Sequence, residues 1–175
     1  MAGSEQQGMA AASARLFEGA LCVVTPTPQT SPAAVRQVRA LWQRVGMRTT
    51  TLSPERHDAI VAMISHAPHL VAASLVAAAT PAELAVAATG FADTTRVALG
   101  DPALWRDICA TNRTEILNAL ARIERALIHL RQTIAYRDGR ELMRALAESQ
   151  RKRRRVGRRL RPEEAAPRLS GQPAA

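Results

Sequence analysis

Apolar positions change period along this chain, and the changes mark out its elements. Residues 20–27 hold a short β-branched run, Leu-Cys-Val-Val-Thr, closed by Pro26 and Pro28, which reads as a strand leaving a sheet. Ser31-Pro32 then supplies an N-cap and a first-turn proline. Val35, Val38, Leu41, Trp42 and Val45 recur at helical spacing until Gly46. Met47 to Leu52 reads as a second strand, completing one strand-helix-strand unit. A parallel sheet is normally covered by helices on both faces, so this unit is expected to be the end of a larger layer. From Ser53 the pattern is helical throughout. Ser53-Pro54 and Asp101-Pro102 each open a helix, and Thr80-Pro81-Ala82-Glu83 has the form of a capping box. The segment after Asn112 places Ile116, Leu120, Ile123, Leu127, Leu130 and Ile134 on a narrow heptad seam. That seam is either half of a hairpin, closed by a helix from Leu142 to about Gln150, or a surface where two subunits meet.

Composition supports the helical reading. The chain is 47% hydrophobic and only 3% aromatic, its apolar content carried by Ala, Leu and Val. The formal charge of +9 raises the question of an anionic polymer or membrane as partner. Most of the excess, however, sits in Arg151-Lys152-Arg153-Arg154-Arg155 and in Arg158, Arg159 and Arg161. That run has no interleaved aromatics, so a solvated basic tail is expected, with counterion-releasing binding to phosphates or lipid as the alternative. Pro162, Pro167 and Pro173 follow, and disorder is expected there. Cys22 and Cys109 lie far apart without a CxxC pattern, which points to neither a disulfide framework nor zinc. Leu70 to Ala88 is broken by Thr80, Pro81 and Glu83, and is expected to be a buried helix pair rather than a membrane span. No signal peptide is read at the N-terminus, and a cytoplasmic location is expected.

Three segments combine polar groups with turn residues inside apolar sequence. They are Met1-Ala2-Gly3-Ser4-Glu5, then Ser65-His66-Ala67-Pro68-His69, then Gly90-Phe91-Ala92-Asp93-Thr94-Thr95-Arg96 running on to Asp101-Pro102-Ala103-Leu104-Trp105-Arg106-Asp107-Ile108. In this order and separation, from Met1 to about Ala126, they resemble the prephenate/arogenate dehydrogenases. The resemblance implies a mainly α chain. A remnant of an α/β nucleotide-binding domain would occupy 1–53, a helical substrate-binding and dimerisation domain 54–150, and the basic tail 151–175. It further implies NAD- or NADP-dependent oxidative decarboxylation of prephenate or arogenate, and a homodimer; no membrane partner is expected, and a nucleic-acid partner is disfavoured by the basic run's lack of aromatics. The family's catalytic histidine belongs to a His-Pro-(Met or Ile)-Ala-Gly-(Ser or Thr)-Glu motif whose Met aligns with Met1, so no catalytic residue is assigned here. The nine glycines form no GxGxxG cluster either. The expectation is therefore a truncated piece that binds ligand without turnover, with a non-catalytic dimeric binding module as the rival.

By the same resemblance, substrate-binding residues are expected at Ser4, Glu5, His66, His69, Gly90, Arg96 and Trp105. Ser4 and Glu5 would lie on the loop lining the active site, His69 in the pocket, and Trp105 on its wall. Arg96 has a physical case of its own. It follows a loop-like stretch, and a guanidinium fork matches a carboxylate in two-point geometry. Its bland alternative is an ion pair with Asp93 or Asp101. Ala67 stands where the family more often has Leu, and Thr89-Gly90 where many relatives have Gly-Gly. His66 and His69, three apart, share a helix face; without a third ligand nearby, metal binding is not expected. Trp105 could equally be a core residue, His57 and His129 are read as surface residues, and both cysteines as buried.

Overall fold

The structure, a computed structural model, describes residues 12–13 and 15–160. Ser4 and Glu5 lie outside the described residues, as does the chain from 161 onward. The described chain falls into two compact units, one ending at Ala121 and the other beginning at Arg122.

The first unit opens with the expected strand-helix-strand arrangement. β1 (Leu21–Val24) pairs in parallel with β2 (Arg48–Thr51), register Leu21 opposite Arg48. The crossover is α1 (Pro32–Arg44), whose N-cap Ser31 accepts from the Ala34 N–H and whose first turn holds Pro32. Helix α1 packs on both strands, and Phe17 meets Trp42 edge-on at 5.6 Å. Gly46 ends the crossover at φ +88°. A side chain there would be strained by that φ, and its Cβ would sit 3.3 Å from the Glu18 backbone. With only two strands the sheet leaves its layer open: Leu41 is 60% exposed and no residue of α1 is buried.

The helical part of this unit is built on one rod. α2 (Pro54–Val61), a π turn (Ala62–His66) and α3 (Ala67–Ala78) run on without a break. Its 25 residues are long and apolar enough to cross a membrane by length and composition, a test that core helices also meet. Of that apolar window 22% is buried: the rod buries Ala62, Ala67, His69 and Ala72, and α3 packs against α5 (Thr89–Thr95) and the 3-10 turn Arg96–Leu99. The small alanines let those elements approach closely. α4 (Pro81–Ala85) carries the expected capping box, with the Thr80 N–H donating to Glu83 Oε2 at 2.7 Å. The expected buried pair over Leu70–Ala88 is not formed, because α4 is exposed throughout and Val86 is 82% exposed. The Gly90–Thr95 stretch, expected as a loop, is helical. The Thr94 and Thr95 hydroxyls donate back to the Gly90 and Phe91 carbonyls, which suits a helical turn. α6 (Pro102–Thr111) starts at Asp101, whose Oδ1 accepts from the Ala103 N–H. Both cysteines are half-buried rather than buried.

α7 (Arg113–Ala135) runs from the first unit into the second. Ile116 and Ala119 are buried, but further along the seam Leu127 and Ile134 are 58% and 61% exposed. α8 (Gly139–Leu160) follows a turn in which Arg137 adopts φ 54° and His129 Nε2 meets Glu141 Oε1 at 3.1 Å. It leaves Leu146 54% exposed, so within this chain α8 does not close the seam as a hairpin partner. It also continues ten residues past Gln150, through Arg151–Arg155, where a solvated tail was expected. Arginine is a good helix former, Lys152 pairs with Glu148 one turn back, and cations favour a helix C-terminal end.

Gly46→Ala is expected to lower stability by about 1–2 kcal/mol, the cost of a left-handed non-glycine residue. A urea midpoint lowered accordingly, at unchanged slope, checks it.

Candidate active-site wall

Two segments distant in sequence, His66–His69 and Gly100–Trp105, meet around one indole. Trp105, on α6, lies flat against His69 of α3, with centroids 3.5 Å apart and planes inclined by 10°. His66, one turn earlier at the end of the π turn, meets the same indole edge-on at 6.1 Å and 84°. The three-residue spacing of the histidines puts both rings on the helix face that α6 covers. Gly100 allows this approach: a Cβ there would lie 2.5 Å from Trp105 Nε1 and 2.9 Å from His69 Cε1. Its backbone is ordinary, so glycine is required for space and not for conformation.

His69 is buried, and burial pushes its pKa below the usual histidine value, opposed by a hydrogen bond to the Val97 backbone. Burial likewise lowers His66, against the raising influence of Asp58. Both shifts favour the neutral ring. Val97 follows Arg96, which opens the 3-10 turn packed on α3, the helix that carries His69. Arg96 itself is exposed. Gly90 sits in the first turn of α5, with nothing within 4 Å of a Cβ placed there. The structure thus joins His66, His69 and Trp105, sets Arg96 on the adjoining turn, and leaves Gly90 apart from the indole. Among the described residues, no cluster of three or more His, Cys, Asp or Glu side chains forms.

One recess of about 300 Å³ reaches this wall through His66 and is otherwise lined by His57, Asp58, Val61, Ile108, Thr111 and Asn112. Another, of about 330 Å³, contains Glu55, Asp58 and the start of α7. Neither is lined by His69, Trp105 or Arg96. His57, read from sequence as a surface residue, is half-buried here and pairs with Asp58 through Nδ1 at 2.9 Å. Asn112 was legible only as a helix boundary. Its side-chain amide reaches the Asp58 carbonyl at 3.0 Å and His66 Nδ1 at 3.3 Å, contacts spanning 54 and 46 residues that no local pattern reveals.

Gly100→Ala is expected to push the rings apart, changing Trp105 fluorescence and costing about 1–3 kcal/mol, as overpacking does. Stability should also depend on pH. Native His66 and His69 resist protonation more than the unfolded chain does, so their contribution is complete above the ordinary value near 6.5 and is lost as pH falls below it. Melting temperatures from pH 7.5 to 5 should fall on acidification, and less steeply in a His66→Gln, His69→Gln double variant.

Comparison with known proteins identifies the family of the chain. Residues 53–148 match the family described as prephenate dehydrogenase, dimerization domain, and residues 1–51 match prephenate dehydrogenase, nucleotide-binding domain. The chain is 39% identical over 150 residues to the prephenate dehydrogenase of Bacillus subtilis, covering 82% of this chain and 40% of that protein. It is 34% identical over 160 residues to the cyclohexadienyl dehydrogenase of Zymomonas mobilis, covering 87% and 55%. Prephenate dehydrogenase from A. aeolicus, solved in complex with hydroxyphenyl propionate and NAD+, superposes with TM-score 0.81 at 34% identity, over 88% of this chain and 56% of that one. Synechocystis arogenate dehydrogenase gives TM-score 0.77 at 31% identity, over 89% and 59%. The chain thus spans about half the length of these relatives. It belongs to the prephenate dehydrogenase family, with that family's dimerization domain over residues 53–148.

Proposed function

We propose that this chain is the substrate-binding and dimerisation part of an NAD- or NADP-dependent dehydrogenase that oxidatively decarboxylates prephenate or arogenate in the cytoplasm. The observation that carries the reading is the His66–Trp105–His69 assembly, on a helix packed against the turn that Arg96 opens. Neutral rings offer a flat, partly apolar wall to a ring compound, and a guanidinium offers a fixed cation to its carboxylate. The ligand of the A. aeolicus relative, hydroxyphenyl propionate, has that chemistry. In this reading His66, His69, Arg96 and Trp105 are substrate-binding, with Ser4, Glu5 and Gly90 completing the site.

The described strand-helix-strand unit does not fit a dinucleotide by itself. The segment from β1 to α1, Thr25-Pro26-Thr27-Pro28-Gln29-Thr30-Ser31, has no glycine, and the α1 N-terminus is closed by the Ser31 side chain. Hydride transfer therefore has no cradle in these residues. Dimerisation rests on the dimerization-domain match and on the open apolar seam of α7 and α8.

Calorimetry on the 175-residue chain with prephenate, arogenate and hydroxyphenyl propionate should show binding without NAD+ reduction. Arg96→Ala should weaken it by roughly tenfold or more, the loss of a charge-assisted contact. Absence of heat with all three compounds at millimolar concentration overturns the reading. Sedimentation should give a dimer, and a Leu127→Glu, Leu146→Glu variant a monomer; an unchanged dimer places the interface elsewhere.

A further inference from the structure

Asn112 closes α6 and opens α7: its N–H donates to the Ile108 carbonyl, and its carbonyl accepts from the Ile116 N–H. Its side chain points away from both helices toward the α2–α3 rod. There the amide nitrogen lies 3.0 Å from the Asp58 carbonyl and 3.3 Å from His66 Nδ1. The Asp58 carbonyl can only accept, so the amide group facing it is the NH2. Its second hydrogen then meets His66 Nδ1, which must offer a lone pair. In a neutral imidazole the proton is left on Nε2. The Asp58 carbonyl lies one turn before the π turn, where the ladder changes register, and it also takes the Ala62 N–H.

We propose that Asn112 is a positioning residue of the ligand wall: it holds His66 as the Nε2-protonated tautomer and so sets the Trp105 indole that His69 stacks on. The ligand half of this inference rests on the proposed function; the tautomer does not. The titratable groups facing His66 are His57 and Asp58 of α2, which pair with each other. Glu55, Arg113 and Glu115 line the neighbouring recess.

The test uses the full chain with ¹⁵N-labelled histidine. The nitrogen spectrum of His66 should show a proton on Nε2 and none on Nδ1 at neutral pH. In Asn112→Asp the carboxylate can only accept, so the proton should move to Nδ1 and the His66 midpoint should rise by about one unit or more. Asn112→Gln, whose amide keeps both N–H donors, should keep the wild-type tautomer; it also decides the matter if the aspartate variant does not fold. Hydroxyphenyl propionate should bind Asn112→Asp roughly tenfold more weakly, the scale of one lost hydrogen bond, and Asn112→Gln near normally. A wild-type proton on Nδ1, or an aspartate variant with unchanged tautomer and midpoint, overturns the lock. A switched tautomer with unchanged affinity overturns the positioning role. Wild-type chain that binds no ligand but shows the expected tautomers refutes the functional reading and leaves the lock standing.

Discussion

His69 lies flat on Trp105 at 3.5 Å, and the rest of the site is arranged around that contact. It joins α3 to α6 across a sequence gap of 36 residues, and it forms only because Gly100 leaves room where any Cβ would strike both rings. The helix that carries the same imidazole packs against the 3-10 turn that Arg96 opens. A single stacked pair thus couples a helix, a 3-10 turn and a second helix. Burying neutral rings there also costs less than burying a charge, consistent with both histidines being held below their ordinary pKa.

The elements were legible where local chemistry marks them. Ser31-Pro32, Ser53-Pro54, Thr80 with Glu83, and Asp101-Pro102 each cap a helix where the sequence places a cap, because the capping bond closes within three residues. The parallel strand pair was equally readable from two short apolar runs around an amphipathic helix. Elsewhere the local pattern misled. Gly90–Thr95 looks like a loop, yet it is helical and packs on α3, its threonine hydroxyls bonding back to the carbonyls one turn before. The Arg run looks like a tail, yet high intrinsic propensity carries α8 through it to Leu160.

The site was half legible. The His66–His69 spacing indicates a shared face and the family motif names Trp105, but nothing local says that the indole lies between the histidines and α6. Asn112 was invisible because its two partners, Asp58 and His66, are fixed by the meeting of α6 with the α2–α3 rod. Gly100 was equally silent. Its backbone is ordinary, and only the two rings beside it show why a side chain is excluded.

The π turn links these contacts. An α-helix from Pro54 to Ala78 would repeat about every 3.6 residues; the wider turn at Ala62–His66 rotates α3 relative to α2. That rotation lets one rod present Asp58 and His66 to Asn112 and, a turn later, His69 to Trp105. A regular helix of the same sequence would change the angle between those two sets of groups. The rod, buried through Ala62 and Ala67 at zero exposure, cannot turn to compensate without opening its core. The irregular turn is thus what allows a stacked pair and an amide clamp to share one indole.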